Sequence, residues 1–324
     1  MLFGSRATVV PLALLATLLA ATTAHAGPFD NPYDLPNAPR PPTLPELTHP
    51  DLEATIESTG GAITRREGAA PSPSCDACTA RFAFVQRLAI EIPLGPRRWF
   101  VGTSYEIAAG GHTGQGDLKV VGGNLELYGR TVWATQTGLA FGGGLGVVLP
   151  TSSFDPASQA GSVARSAATL RPWDSPFFTN DVFVARPFVD VRDVVGRAVV
   201  HFRQGLDVFI NVNDVSSRRV TALTALYLGY RVLPLLSAGL EMFEVYTLDS
   251  SVDDGLRAAF IVSPNVRVMT PYVQPALSGF TNVGPPLYGN ADRVWGARIA
   301  VTIVYDTTTR QIERGTQGHG LAPE

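Results

Sequence analysis

The sequence predicts an all-β protein, a transmembrane antiparallel up-and-down barrel of about 12 strands. Three observations carry this. First, many segments alternate apolar side chains with small or polar ones, as strand geometry requires. From Arg293 to Tyr305, the residues Trp295, Ala297, Ile299, Val301, Ile303 and Tyr305 share one face, while Gly296, Arg298, Ala300, Thr302 and Val304 share the other. Second, no apolar run after the N-terminal region approaches the roughly 20 residues of a spanning helix, so a membrane crossing has to be made by a closed barrel. Third, short connections alternate with long ones, the asymmetry of periplasmic turns and external loops. A secreted β-sandwich is the soluble alternative, since it also strings together short alternating strands.

Composition narrows the class further. The chain of 324 residues has 16% charged residues, 32 glycines and a net charge of -3, which argues against a nucleic-acid partner. Met1 to Ala26 has an early Arg6, an apolar stretch from Val9 to Ala21 and the small-residue ending Ala24-His25-Ala26, the pattern of a cleaved secretory signal peptide. Residues 27 to 51 are dense in proline and are expected to form an extended periplasmic leader without a core of its own. The expected barrel covers 52 to 306, and 307 to 324 form a polar tail.

Cys75 and Cys78 are the two cysteines. In an exported chain this spacing points to a local disulfide, because no second ligand pair suggests zinc and Thr79 stands where a haem-attachment motif needs His. No metal or other cofactor is implied.

The strands follow in order. Phe82 to Ile92 and Trp99 to Ile107 form a hairpin around Leu94-Gly95-Pro96-Arg97. Leu118 to Val132 precedes Gly138 to Pro150, whose inner face, Ala140, Gly142, Gly144 and Gly146, is nearly bare of side chains. Further strands are expected at Val182 to Arg192, Arg197 to Asn211, Arg219 to Val232, Leu235 to Thr247, Leu256 to Val268, Tyr272 to Asn282 and Arg293 to Tyr305. If the short turns are periplasmic, the strand at Phe82 starts outside and needs a preceding partner. Leu52 to Arg65 is the candidate, and it brings both termini to the periplasm. Trp99, Trp133, Tyr272 and Tyr305 then fall at the periplasmic rim as an aromatic girdle.

The inner face collects charges that a soluble core would exclude: Arg87, Glu106, Arg203, Asp207, Arg231, Glu241, Arg267 and Arg298. They are expected to face the lumen, either as a solute path or as a structural network of paired charges. The connection Thr151 to Asp181 is too long for a structureless loop and carries Trp173, Phe177 and Phe178. Two arrangements are open for it. Folded inward over the glycine-lined strand, its aromatics form a constriction; folded outward, it caps the barrel and touches lipopolysaccharide.

GLAFGGGLGVVLPTS (Gly138 to Ser152), SAGLEMFEVY (Ser237 to Tyr246) and SPNVRVMTPYVQPALSGFTNV (Ser263 to Val283) resemble Gram-negative outer-membrane transporter barrels of the phenol-degradation meta-pathway type. The resemblance covers most of Thr79 to Tyr305 and lies in pattern more than in invariant motif. The leader and the tail beyond Tyr305 depart from it. The resemblance implies an outer-membrane transporter but no substrate; the chain is read as a monomeric passive channel or transporter in the outer membrane for a small solute, hydrophobic ones included. The expected partners are outer-membrane lipid, lipopolysaccharide and the barrel-assembly machinery.

The alternative is a barrel with a structural or envelope-assembly role. A barrel-embedded lipase or protease ranks lower and the chain is read as a non-enzyme, since His201 is followed by Phe202 and Arg203 without the serine a lipid-facing hydrolase places there. The stretch Gly110 to Gly116 lacks the Lys-Ser/Thr ending of a phosphate loop and reads as a flexible connection.

Overall fold

The computed structural model describes residues 39–44, 52–65, 80–94, 99–112, 118–134, 139–214, 218–249, 257–284 and 291–305. The expected signal peptide, the Cys75–Cys78 pair and the C-terminal tail lie outside these residues. The described chain forms twelve antiparallel strands closed into one barrel. They are β1 (Leu52–Arg65), β2 (Ala80–Leu94), β3 (Trp99–His112), β4 (Lys119–Ala134), β5 (Ala140–Leu149), β6 (Val182–Val195), β7 (Ala198–Asn211), β8 (Arg218–Leu233), β9 (Leu236–Thr247), β10 (Ala258–Val268), β11 (Val273–Val283) and β12 (Ala291–Tyr305). Each strand pairs with its sequence neighbours, and β1 closes on β12 from Leu52↔Tyr305 to Ile63↔Val294. Closure leaves no unpaired edge, which is what a hydrocarbon surrounding demands of a sheet.

The pleat sorts side chains as the alternation predicted. Along β12, Arg298, Ala300, Thr302 and Val304 are buried in the interior, while Trp295, Ile299, Ile303 and Tyr305 are exposed on the outer wall. The outer wall is apolar around the circumference, with Phe84, Leu88, Val101, Leu127, Leu145 and Leu277 all exposed. The interior is where the charges go. A soluble protein is built the other way round, so this distribution identifies a barrel meant to stand in lipid. Trp99, Trp133, Tyr272 and Tyr305 are exposed near the strand ends that carry the short connections, forming the expected belt at that rim.

Local chemistry fixes the turns and one break in register. At the short β6–β7 connection, Gly196 adopts φ +59°, the left-handed conformation that a two-residue hairpin needs and that glycine takes without a Cβ clash. Between β3 and β4 the register shifts, since Tyr105 pairs with Leu125 but Ile107 pairs with Gly122. One extra residue on β4 is thereby accommodated, and both Gly123 and Asn124 point away from solvent. Asn124 faces the lumen in step with Glu126 and Arg130, and the bulge brings the adjacent Gly123 to the same side.

Two elements fill the interior. The β5–β6 connection folds inward, as helix α1 (Gln159–Leu170) followed by a 3-10 segment, Pro172–Phe178. The second is part of the leader, because residues 39–42 are buried against the inner wall near the short-connection end. The sequence reading placed all of 27–51 in the periplasm, and for 39–44 this is corrected. A polar, proline-rich segment can sit in this lumen because the wall supplies partners for its polar groups, whereas a hydrophobic core would not.

Candidate functional site

The lumen is narrowed from both directions. Helix α1 starts at Ser158, whose hydroxyl accepts from the Gly161 amide at 3.2 Å, and it presents Val163, Ala164, Ala167 and Leu170 as a buried face of small and medium side chains. With Phe177 and Phe178 this face packs on Val85, Ala108 and Val121 of β2, β3 and β4. Trp173 reaches the opposite wall. It stacks on Phe243 of β9 with ring centroids 4.5 Å apart and meets Phe280 of β11 edge-on at 6.1 Å. The loop therefore spans the interior, with all three expected constriction aromatics buried within it.

Its position differs in one respect from the inward arrangement foreseen. The loop packs mainly on β1 to β4 and does not fill the space over the glycines of β5. That space belongs to neighbouring strands: a Cβ on Gly144 would lie 2.6 Å from the Phe188 ring and 2.9 Å from Arg130 Cβ, and one on Gly146 would lie 2.8 Å from Glu126 Oε1. The bare face of β5 makes room for long side chains of β4 and β6.

The close approach that the loop does require is at Gly61, where a Cβ would stand 2.4 Å from Leu170 Cδ1 and 2.6 Å from the Trp295 carbonyl. Gly61→Val is expected to displace Leu170 and weaken the β1–β12 seam. Earlier loss of the heat-resistant gel form than in wild type checks this; equal resistance would show that the loop yields without cost.

Arg171 fastens the loop to the wall. Its guanidinium is fully buried, contacts Glu57 at 2.6 Å and Glu106 at 3.4 Å, pairs with Asp174 and donates to the Thr59 hydroxyl at 3.1 Å. Burial works against the Asp174 charge, but Arg171, Arg87 and Arg186 outweigh it and hold the carboxyl below the ordinary value. Arg87 joins the cluster 3.9 Å from Glu106. Asn124 holds the far end of the loop by donating to the Pro176 and Thr179 carbonyls at 3.0 and 2.8 Å.

Most of the other lumenal charges among the described residues have ionic partners as well. Arg186 bridges Glu126 at 3.0 Å and Asp207 at 2.8 Å, and Arg203 grips Asp190 with two bonds of 2.7 and 2.8 Å. His201 is buried beside the same Asp190, 3.2 Å from its Oδ1. Arg130 pairs with Glu91, and Arg298 pairs with Glu241. Arg267 donates to Gln274 at 3.3 Å and to the Pro41 carbonyl at 3.4 Å.

Arg231, on the lumenal side of β8, is half-exposed near the short-connection end. Of the eight charges singled out from sequence, the structure brings Arg87 to Glu106 and Glu241 to Arg298, while Arg203 and Asp207 find other partners.

The partners missed were Glu53, Glu57, Glu91, Glu126, Arg130, Arg186 and Asp190. Parity marks several of them: Glu91 is in step with Arg87 on β2, Glu126 with Arg130 on β4 and Arg186 with Asp190 on β6. Arg40 and Arg171 carry no such signal, since they lie outside strands, whereas Asn124 is in step with Glu126 and Arg130 on β4.

Between the leader and the loop a cavity of about 130 Å³ remains. Arg40, Pro42 and Leu44 bound one side and Trp173 and Asp174 another, with Glu53, Glu91, Arg186 and Asp207 among the wall residues. Such a space admits a small molecule and offers it ionic partners together with one aromatic surface. Among the described residues no cluster of three or more His, Cys, Asp or Glu has the arrangement to hold a metal ion.

No protein-family model matches the chain, and no curated protein sequence does. Solved structures do. An outer membrane channel from Pseudomonas putida F1 superimposes with a TM-score of 0.57 at 12% identity, covering 81% of this chain and 97% of that one. The KdgM porin gives 0.44 at 11% identity, with 78% and 99% covered, and a FadL homologue from Pseudomonas aeruginosa gives 0.41 at 8%, with 86% and 93% covered. At these identities the first likeness establishes a shared barrel fold.

Proposed function

We propose that the protein is an outer-membrane channel that passes a small solute by diffusion, with the leader and the β5–β6 loop setting its width. The observation that carries this is the cavity between those two inserts, lined by charged side chains and by Trp173. A barrel serving as a mere wall element has no need of an interior space with ionic partners. The outward apolar surface supports strands that stand in lipid, and the structurally similar protein from Pseudomonas putida is itself described as an outer membrane channel. The reading puts the short-connection end, with its aromatic belt and both barrel termini, on the periplasmic side.

Charged side chains on several walls of the cavity favour a solute with polar groups over a purely apolar one. The meta-pathway resemblance therefore supports the transporter reading without fixing the solute. Trp173 adds a flat apolar surface on which part of the solute can lie.

Purified protein in a planar bilayer tests the proposal. Wild type is expected to conduct weakly because both inserts are in place, and deletion of Ser162 to Phe178 is expected to raise the conductance severalfold while leaving the barrel heat-resistant on unboiled gels. A correctly folded deletion variant that stays silent refutes the channel and favours a structural role.

A further inference from the structure

The two inserts deliver an arginine each to the same strip of wall. On β1, Glu53 and Glu57 lie four residues apart on the lumenal face, about 13 Å along the strand at roughly 3.3 Å per residue. Across the ladder Glu53 is opposite Glu91, and Glu57 is opposite Arg87, which is itself opposite Glu106. Three adjacent strands thus carry four lumenal carboxylates.

Their charge is balanced unevenly by the wall. Arg130 of β4 takes Glu91, and Arg87 comes no nearer than 3.9 Å to Glu106. Elsewhere in the described lumen, Glu126, Asp190, Asp207 and Glu241 each pair with an arginine rooted in a strand.

Glu53 and Glu57 are served differently. Arg40 of the leader points Nη2 at both Glu53 carboxylate oxygens, at 2.7 and 2.6 Å, and Nη1 at Gln274 Oε1 at 3.3 Å. Arg171 of the loop contacts Glu57 and Glu106. Neither arginine belongs to the barrel wall, and they arrive from separate segments of chain. The wall residues they meet are carboxylates, an amide oxygen and the Thr59 hydroxyl, which are the acceptors a guanidinium group needs.

We infer that Glu53 and Gln274 form a recognition track for the guanidinium or protonated amine of a small cationic solute, and that Arg40 occupies its station as a tethered stand-in. This rests on the channel reading and adds the class of solute to it. The leader around Arg40 is also held through Thr43, which donates to Glu241 from its amide at 3.2 Å and its hydroxyl at 2.6 Å, and through the Pro41 carbonyl, which accepts from Arg267. A free cation of the same chemistry competes for Glu53 and Gln274, while Glu241 keeps Arg298 throughout. Trp173 and Leu44 beside the track supply apolar surface for the carbon part of such a solute.

The test uses the full-length chain and methylguanidinium as probe. In Arg40→Ala the station is vacated, and methylguanidinium is expected to block the bilayer current at least about tenfold more strongly than tetramethylammonium, which has the charge but no N–H donors. The block is expected to vanish in Arg40→Ala/Glu53→Gln. Equal block by the two cations, or block that survives Glu53→Gln, overturns the inference.

Thermal unfolding of the same variants in detergent needs no pore. Methylguanidinium should raise the midpoint of Arg40→Ala and leave that of Arg40→Ala/Glu53→Gln unchanged. A silent bilayer with this selective shift retains the track and removes the channel; current without selective block or shift removes the track and retains the channel. Silence without a shift removes both. If Arg40→Ala does not assemble, Arg40→Gln takes its place with the same outcomes.

Discussion

Arg171→Leu is expected to cost about 3–5 kcal/mol and to free the β5–β6 loop from the lumen. The size follows from what is left behind. Glu57, Glu106 and Asp174 all lie within the arginine's reach and are all buried, so removing the cation strands three carboxylates away from water. An exposed ion pair would cost well under half of this, since solvent replaces the lost partner.

Urea unfolding of the folded barrel in detergent measures the loss, and bilayer recordings of the same variant should show a higher conductance than wild type. Adding Glu57→Gln and Glu106→Gln should recover part of the stability, because a neutral amide is cheaper to bury than a carboxylate. A loss under about 1 kcal/mol would show that water enters and solvates the cluster, and the loop would then be held by its aromatic contacts instead.

Ile299→Arg is expected to cost about 2–4 kcal/mol, as an arginine facing the middle of the hydrocarbon does. Ile299 is 57% exposed on the outer wall and lies near the centre of β12. Ile303→Arg, on the same face but close to the strand end, should cost only about 0–1 kcal/mol, because there the side chain can reach the interface. The pair of measurements reads depth as well as facing. Similar losses at both positions would mean that the bilayer midplane does not cross β12 at Ile299.

The fold was largely legible because alternation is a local property. Each residue of a strand is assigned to lipid or lumen by its parity with its neighbours, and this needs no knowledge of what lies across the barrel. Even β1, weak in strand propensity, could be placed at Leu52 to Arg65, because the count of short and long connections left the strand at Phe82 without a partner on one side. The inward-facing charges Arg267 and Arg298 could be found in the same way, for an arginine on the empty face of an alternating strand has nowhere else to go.

Which charges pair was not legible. Glu241 and Arg298 are 57 residues apart, and only the circumference of the closed barrel brings them together. The sequence by itself determined the strands, their facing, the bare inner side of β5 and the unusual length of the β5–β6 loop. Tertiary structure alone decided that Phe188 and Arg130, rather than the loop, occupy the space over Gly144; that Asn124 finds the Pro176 and Thr179 carbonyls of the loop; and that Arg40, an isolated cation in a proline-rich leader, meets Glu53. Parity along a strand is dictated by its own backbone, whereas these contacts depend on how twelve strands curve around a common axis and on which buried charges are left for the inserts to neutralise.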